Sequence, residues 1–184
     1  MGRFPSRLAR SKYKNNMIGL ILAAGLGTRL TSETKDKPKC MVTVGNKPVL
    51  ERIADHMNKH GIWRIVVNLH AFPEVVMKHF GQRFLYLYEP APMGEFATVE
   101  IIRAMFPGEP VVTMNGDTIT DINLTELLIP HVNTRYFSNK THRHMGTSVY
   151  VKGPMDRSGR KDVDCEYFDI GTPAGLVEAR KRYV

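Results

Sequence analysis

Cysteine is scarce in this 184-residue chain: Cys40 and Cys165 are the only two. They make no disulfide framework and no metal-ligand spacing, so a reducing, cytoplasmic compartment is the expectation. No apolar run approaches the ~18 residues that cross a bilayer, which sets aside a membrane partner. Acidic residues are missing from the first 16 positions, which hold Arg3, Arg7, Arg10, Lys12 and Lys14 but no apolar signal core. That composition is read as a disordered basic tail, although transit peptides share it. Taking those five cations from the formal charge of +8 leaves +3 for residues 17–184. So mild a balance is weak ground for a nucleic-acid partner, and none is expected; an anionic small substrate suits it as well. Two glycine-loop signatures are also missing. There is no Gly-x4-Gly-Lys-Ser/Thr, which excludes a P-loop, and Leu30 stands where the third glycine of the dinucleotide fingerprint would fall.

What remains is 42% hydrophobic and 24% charged, the composition of a globular domain, here placed over residues 17–184. The apolar run Met17–Ala24 reads as a buried strand. Thr31–Lys39 is a polar loop around Pro38, and a short apolar stretch, Met41–Val44, leads to a turn at Gly45-Asn46. Pro48 opens a helix at its first position; Val49, Leu50, Ile53 and Met57 keep helical spacing, and Gly61 stops it. A strand at Ile62–Leu69, a short helix at Pro73–Phe80 and a strand at Phe84–Tyr88 follow. Next come a helix at Gly94–Phe106, with Val99, Ile102 and Phe106 on one face, and a strand at Pro110–Met114. Asn123 and Glu126 form a capping box for another helix. A strand at Thr147–Val151, an exposed loop at Asp156–Asp162, a last strand at Cys165–Ile170 and a closing helix at Pro173–Val184 complete the chain. Alternation of this kind predicts an α/β fold: a three-layer α/β/α sandwich with a Rossmann-like, mostly parallel sheet.

Three features carry chemistry. The first strand empties into Gly25-Leu-Gly27-Thr28-Arg29, where glycines let main-chain N–H groups approach phosphate oxygens and Arg29 adds a planar cationic fork. Pro38-Lys39 follows on the next loop. Asp117 ends Asn115-Gly116-Asp117 just past a buried strand, and Asp169 lies in Phe168-Asp-Ile-Gly-Thr-Pro173. In open parallel sheets ligands sit beyond the carboxyl ends of strands where strand order reverses. Carboxylates there suit Mg²⁺, which takes few of them beside phosphate oxygens and water. Singly, each residue has a plain structural reading: Asp117 as a turn residue, Asp169 as a helix cap, Lys39 as a solvated lysine. His131, His142 and His144 lack a clean metal spacing, although the last two would share one face of a strand.

Leu22-Ala-Ala-Gly-Leu-Gly-Thr-Arg-Leu30, Pro38-Lys-Cys-Met-Val-Thr-Val-Gly-Asn-Lys-Pro48, Val112-Thr-Met-Asn-Gly-Asp117 and Phe168–Pro173 together resemble the sugar-1-phosphate nucleotidylyltransferase family. The resemblance implies the nucleotide-diphospho-sugar transferase type of fold. It also implies transfer of NMP from a nucleoside triphosphate to a hexose or heptose 1-phosphate, giving an NDP-sugar and pyrophosphate. Leu22, Ala23, Ala24 and Gly25 would approach base and ribose. Gly27, Thr28 and Arg29 would approach the triphosphate, and Lys39 the reacting phosphates. Gly94, Asn115 and Gly116 would complete the nucleotide site, and Asp117 and Asp169 would hold Mg²⁺. Arg29, Lys39 and Asp117 are then the catalytic residues.

The chain departs from the family pattern at two places. The pocket loop reads Gly94-Glu-Phe-Ala97 instead of a Gly-Thr-Ala-Gly-like run, which sets Glu95 where it can bond a base donor. Only 52 positions separate Asp117 from Asp169, about half the usual spacing, so the acceptor-binding region, about 129–162, is shortened. The acceptor is then small, as in phosphocholine cytidylyltransferases, or a partner subunit of a homo-oligomer completes the pocket, or the chain binds nucleotide without catalysis.

Overall fold

The computed structural model describes residues 17–127, 134–139, 147–150, 161–163 and 165–184. The basic tail 1–16, His131, His142, His144 and the side chain of Glu126 lie outside the described part. A seven-stranded sheet forms the centre. Its strands in chain order are β1 (Ile18–Leu22), β4 (Arg64–Leu69), β5 (Leu85–Tyr88), β6 (Val111–Asn115), β8 (Thr134–Asn139), β9 (Thr147–Tyr150) and β10 (Lys161–Val163). They lie in the order β10-β8-β9-β6-β1-β4-β5. The β1–β4, β1–β6, β4–β5 and β8–β10 pairs are parallel, and β9 runs antiparallel to both its neighbours. The sheet is therefore mostly parallel, as the alternation implies.

Helices α1 (Val49–Lys59), α2 (Pro73–Phe80), α3 (Glu95–Met105), α4 (Leu124–Leu127) and α5 (Pro173–Arg182) surround it. From β1 through β4 to β5 the chain steps in one direction, and right-handed crossovers put α1 and α2 on one face. The step from β5 back to β6 reverses direction, so α3 falls on the other face. Burial shows the two layers. Ile18 and Leu20 of β1 pack with Val66, Val99, Ile102 and Val111 on the α3 side, with Phe106 against them. Ile21 packs with Leu50, Ile53, Met57, Val76 and Leu176 on the other. Ile18, Leu20 and Ile21 are wholly buried, each contributing about 1.5–3 kcal/mol over an exposed side chain.

Several elements differ from the sequence expectation. Pro48 is not the first helical residue: it caps α1 from the end of a hairpin, β2 (Thr43–Val44) with β3 (Lys47–Pro48), turning at Gly45-Asn46. Residues 161–163, expected in an exposed loop, pair with β8 as β10. The last strand, β11 (Tyr167–Asp169), does not join the main sheet. It runs antiparallel to β7 (Thr118–Thr120), a strand hidden behind the Asn-Gly-Asp turn. Thr172, not Asp169, caps α5, accepting from Gly175 N at 3.1 Å.

Two histidines of α1 pin the chain beyond β7. His56 Nε2 donates to the Ile122 carbonyl at 2.9 Å, and His60 Nδ1 accepts from Thr125 N at 3.3 Å at the start of α4. Their rings lie 4.8 Å apart. Burial, followed by positive neighbours (His60 and Lys59 for His56, Lys59 for His60), pushes both imidazoles below the ordinary 6.5. The unfolded chain therefore takes up protons first as pH falls, so stability is full above pH 6.5 and is lost below it. The thermal midpoint should fall between pH 7.5 and 5.5, and fall less in His56→Asn; an equal fall in that variant would remove His56 as the cause.

Candidate active site

The reversal of strand order brings the carboxyl ends of β1 and β6 side by side. Leu22 is the register partner of Asn115, and Gly116 N donates to the Leu22 carbonyl at 2.8 Å. The cleft that opens there is lined by Leu22, Ala23, Gly25, Lys39, Cys40, Asn115, Gly116 and Asp117. A Cβ on Gly116 would lie 2.8 Å from Leu22 O and 3.0 Å from Ala23 Cβ, so only glycine lets the two strand ends close.

Lys39 reaches the cleft because its neighbours are anchored. A single 3-10 turn, Lys39–Met41, buries Cys40 and Met41 in the core and turns the lysine outward. Lys39 Nζ forms an ion pair with Asp117 Oδ2, and Thr118 Oγ1 approaches Asp117 Oδ1 at 3.3 Å. The β7–β11 ladder brings the second carboxylate alongside. Asp169 is the register partner of Thr118, and Ile170 N donates to the Asp117 carbonyl at 3.0 Å. Asp169 Oδ1 accepts from Gly171 N at 2.8 Å. A Cβ on Gly171 would run into Lys39 Nζ and lie 2.7 Å from Asp169 Oδ1. Lys39, Asp117 and Asp169, scattered in sequence, thus converge on one spot.

The glycine loop is held by its own turn. Leu30 N donates to Gly27 O at 3.1 Å, and Thr34 Oγ1 donates to Leu30 O at 2.9 Å. Gly27, at φ 67°, sits beside the Lys39 stem. Arg180 of α5 donates to Glu33 at 2.8 Å and to the Thr43 carbonyl at 3.2 Å, fastening the end of the loop to the last helix. The Arg180 hydrogen bond holds the Glu33 carboxyl below its usual range despite partial desolvation. Ala24 is buried at the loop's start, whereas Thr28 and Arg29 stand outside the lining of the cleft, with Arg29 exposed. Gly94 caps α3, its carbonyl accepting from Thr98 N at 3.2 Å. Glu95 approaches Thr113 of β6 at 3.5 Å.

Sequence reasoning missed one buried group. Glu89, wholly buried, accepts from Asn68 Nδ2 at 2.9 Å, Thr98 Oγ1 at 2.6 Å and Met93 N at 3.0 Å. Asn68 Oδ1 in turn accepts from Ala23 N at 2.6 Å. A Glu directly after an apolar strand is the available signal.

Two outcomes test this local structure. Burial pushes the Cys40 thiol up to about 12, so iodoacetamide at pH 8 should leave Cys40 untouched in the folded protein and label it in urea. Gly116→Ala should cost about 1–3 kcal/mol by overpacking the strand ends, read by denaturant unfolding; an unchanged midpoint would mean the ends tolerate a methyl group.

Comparison with known proteins agrees with this architecture. The pattern of the nucleotidyl transferase family matches residues 18–141. A D-glycero-alpha-D-manno-heptose 1-phosphate guanylyltransferase of Campylobacter jejuni is 36% identical over 116 residues, 60% of this chain and 52% of that protein. A mannose-1-phosphate guanyltransferase of Saccharomyces cerevisiae is 28% identical over 180 residues, 91% of this chain and 46% of that one. The chain thus spans about half the length of these curated relatives. Among solved structures, HddC from Yersinia pseudotuberculosis complexed with GMP-PN superposes with a TM-score of 0.75 at 18% identity, covering 91% of this chain and 99% of that one. A UDP-glucose pyrophosphorylase from Acinetobacter baumanii gives 0.73 at 13% identity, covering 91% and 93%. With the strand reversal, the glycine loop and the converging Lys39, Asp117 and Asp169 already in place, the family match over two-thirds of its length makes this chain a member of the nucleotidyl transferase family.

Proposed function

We propose that this chain is the nucleotide-handling part of an enzyme that transfers a nucleoside monophosphate from a nucleoside triphosphate to a sugar 1-phosphate, releasing pyrophosphate. One observation carries the reading: a lysine and two carboxylates from three distant segments meet at the mouth of the crevice between β1 and β6. The curated relatives are named as heptose- and mannose-1-phosphate guanylyltransferases, which favours GTP as donor and a heptose or hexose 1-phosphate as acceptor.

The acceptor phosphate oxygen attacks the α-phosphorus in line, and the bond to pyrophosphate breaks as the new P–O bond forms. That nucleophile is already ionised at neutral pH, so no general base is needed. The residues that follow β1, Ala24 to Gly27, bring main-chain N–H groups toward the nucleotide. Arg29, on the exposed part of the loop, reaches the triphosphate from the solvent side. Lys39 exchanges its pairing with Asp117 for the reacting phosphates and offsets charge that grows on the leaving group. Asp117 and Asp169 offer hard carboxylate oxygens, the donor set that fits Mg²⁺. Among the described residues no three His, Cys, Asp or Glu gather, so phosphate oxygens would complete its shell. Mg²⁺, when bound, would template the two anions and neutralise their repulsion.

Asp117→Asn and Lys39→Ala should each lower pyrophosphate release about 10²–10³-fold while the thermal midpoint stays close to that of the unsubstituted protein. Chelation with EDTA should abolish release and added Mg²⁺ restore it. Unchanged turnover in both variants would overturn the site assignment. Release with phosphocholine but not with sugar 1-phosphates would move the acceptor to the smaller class.

A further inference from the structure

Glu89 is an odd residue to find where it is. It is wholly buried at the end of β5, away from the cleft lining, and among the described residues no cationic side chain bonds its carboxylate. A carboxylate buried without donors around it is strongly disfavoured. Here desolvation would lift its pKa, but hydrogen bonds from Thr98, Asn68 and the Met93 amide outweigh it and hold the group below the ordinary carboxylate value. It is thus an anion with three donors aimed at it.

Those donors come from separate pieces of the site. Asn68 belongs to β4 and is also the register partner of Leu22. Met93 N belongs to the loop before α3, and Thr98, in the first turn of α3, donates its backbone N–H to the Gly94 carbonyl at 3.2 Å. The chain of bonds runs Ala23 N–H to Asn68 Oδ1, Asn68 Nδ2 to Glu89, then Glu89 to Met93 N–H and the Thr98 hydroxyl, and from the Thr98 backbone N–H on to the Gly94 carbonyl. Ala23 and Gly94 are both among the residues that the family resemblance sets at the nucleotide site.

The chemistry of the link is directional. A carboxylate only accepts, so Asn68 must turn its NH₂ toward Glu89 and leave its Oδ1 for the Ala23 N–H. A neutral amide at position 89 removes that constraint: its NH₂ faces either Asn68 or the Met93 N–H, donor against donor.

We propose that Glu89 is a positioning residue for the nucleotide. Through Asn68 it fixes the first peptide of the glycine loop, and through Met93 and Thr98 it fixes the Gly94 turn, so the two walls of the nucleoside subsite are set by one buried anion. The inference rests on the functional reading above only for what lies between those walls.

Polarity reversal tests it. In Glu89→Gln the Ala23 amide should lose protection from hydrogen exchange, and GTP with Mg²⁺ should bind about tenfold more weakly, the effect of one buried donor left unpaired. Asn68→Asp, which sets two carboxylates against each other, should do the same. The double variant, Glu89→Gln with Asn68→Asp, restores a consistent set. The new carboxylate at position 68 accepts from Ala23 N–H and from the new amide NH₂ at position 89, whose carbonyl oxygen accepts from Met93 N–H. It should recover both protection and affinity to within about threefold, a coupling that independent structural damage does not produce. Glu89→Gln with Ala23 protection and GTP affinity unchanged, or a double variant no better than the worse single one, would overturn the positioning role. Failure of the unsubstituted protein to bind GTP would instead count against the functional reading, because Ala23 exchange reports the link without nucleotide.

Discussion

The bond from the Gly116 amide to the Leu22 carbonyl sits where the order of strands turns back on itself. Right-handed crossovers leave little choice once β6 is laid on the far side of β1: α3 must cover the other face, and the two strand ends must part company above the sheet. The loops leaving those ends diverge, and the space between them is the cleft. Because Gly116 carries no Cβ, the separation begins one residue after the strands and not earlier. Ala23 on one wall and Asp117 on the other are direct neighbours of that bond.

Charge is handled in two ways within a few residues of this point. Glu89 is surrounded by donors and shut away from water, so its electrostatic effect is spent on holding protein groups in place. Asp117 and Asp169 are partly open, share a lysine's neighbourhood, and lie on a two-stranded ladder outside the main sheet. Two acids and one lysine leave a net negative charge, which favours a cation, while Lys39 and Arg29 favour an anion. A metal–nucleotide pair carries both signs.

The parallel half of the sheet is open to sequence reasoning, because β1, β4 and β6 are apolar runs closed by turn residues. Asp117 and Asp169 are readable as positions because each stands at the end of a strand-like run, where side chains leave the core, whereas Lys39 lies in a polar loop and stands out only through the motif around it. The hairpin β2–β3 and the clip β7–β11 are not, because strands of two or three residues have no period to detect. The Thr118–Thr120 strand in particular is mostly polar in composition yet buried, held by hydrogen bonds such as Thr120 Oγ1 to the Glu166 carbonyl at 2.7 Å. The Glu89 link is hidden for a related reason: its partners Asn68, Met93 and Thr98, and Ala23 beyond them, are ordinary residues singly, and only the fold sets them around one carboxylate.

The clip of β7 with β11 has a kinetic side. Its residues are about fifty positions apart, and α5, which packs against β11 and is fastened to the glycine loop through Arg180, follows it. Pairing such remote segments carries loop-closure entropy. The wall made by β1, β4 and α3 is drawn from residues 18–105, which leave the ribosome before residue 169 does. A nascent chain would then possess that wall before it possesses Asp169, and anything that loosens the final helix would draw Asp169 away from Asp117 while leaving the wall standing.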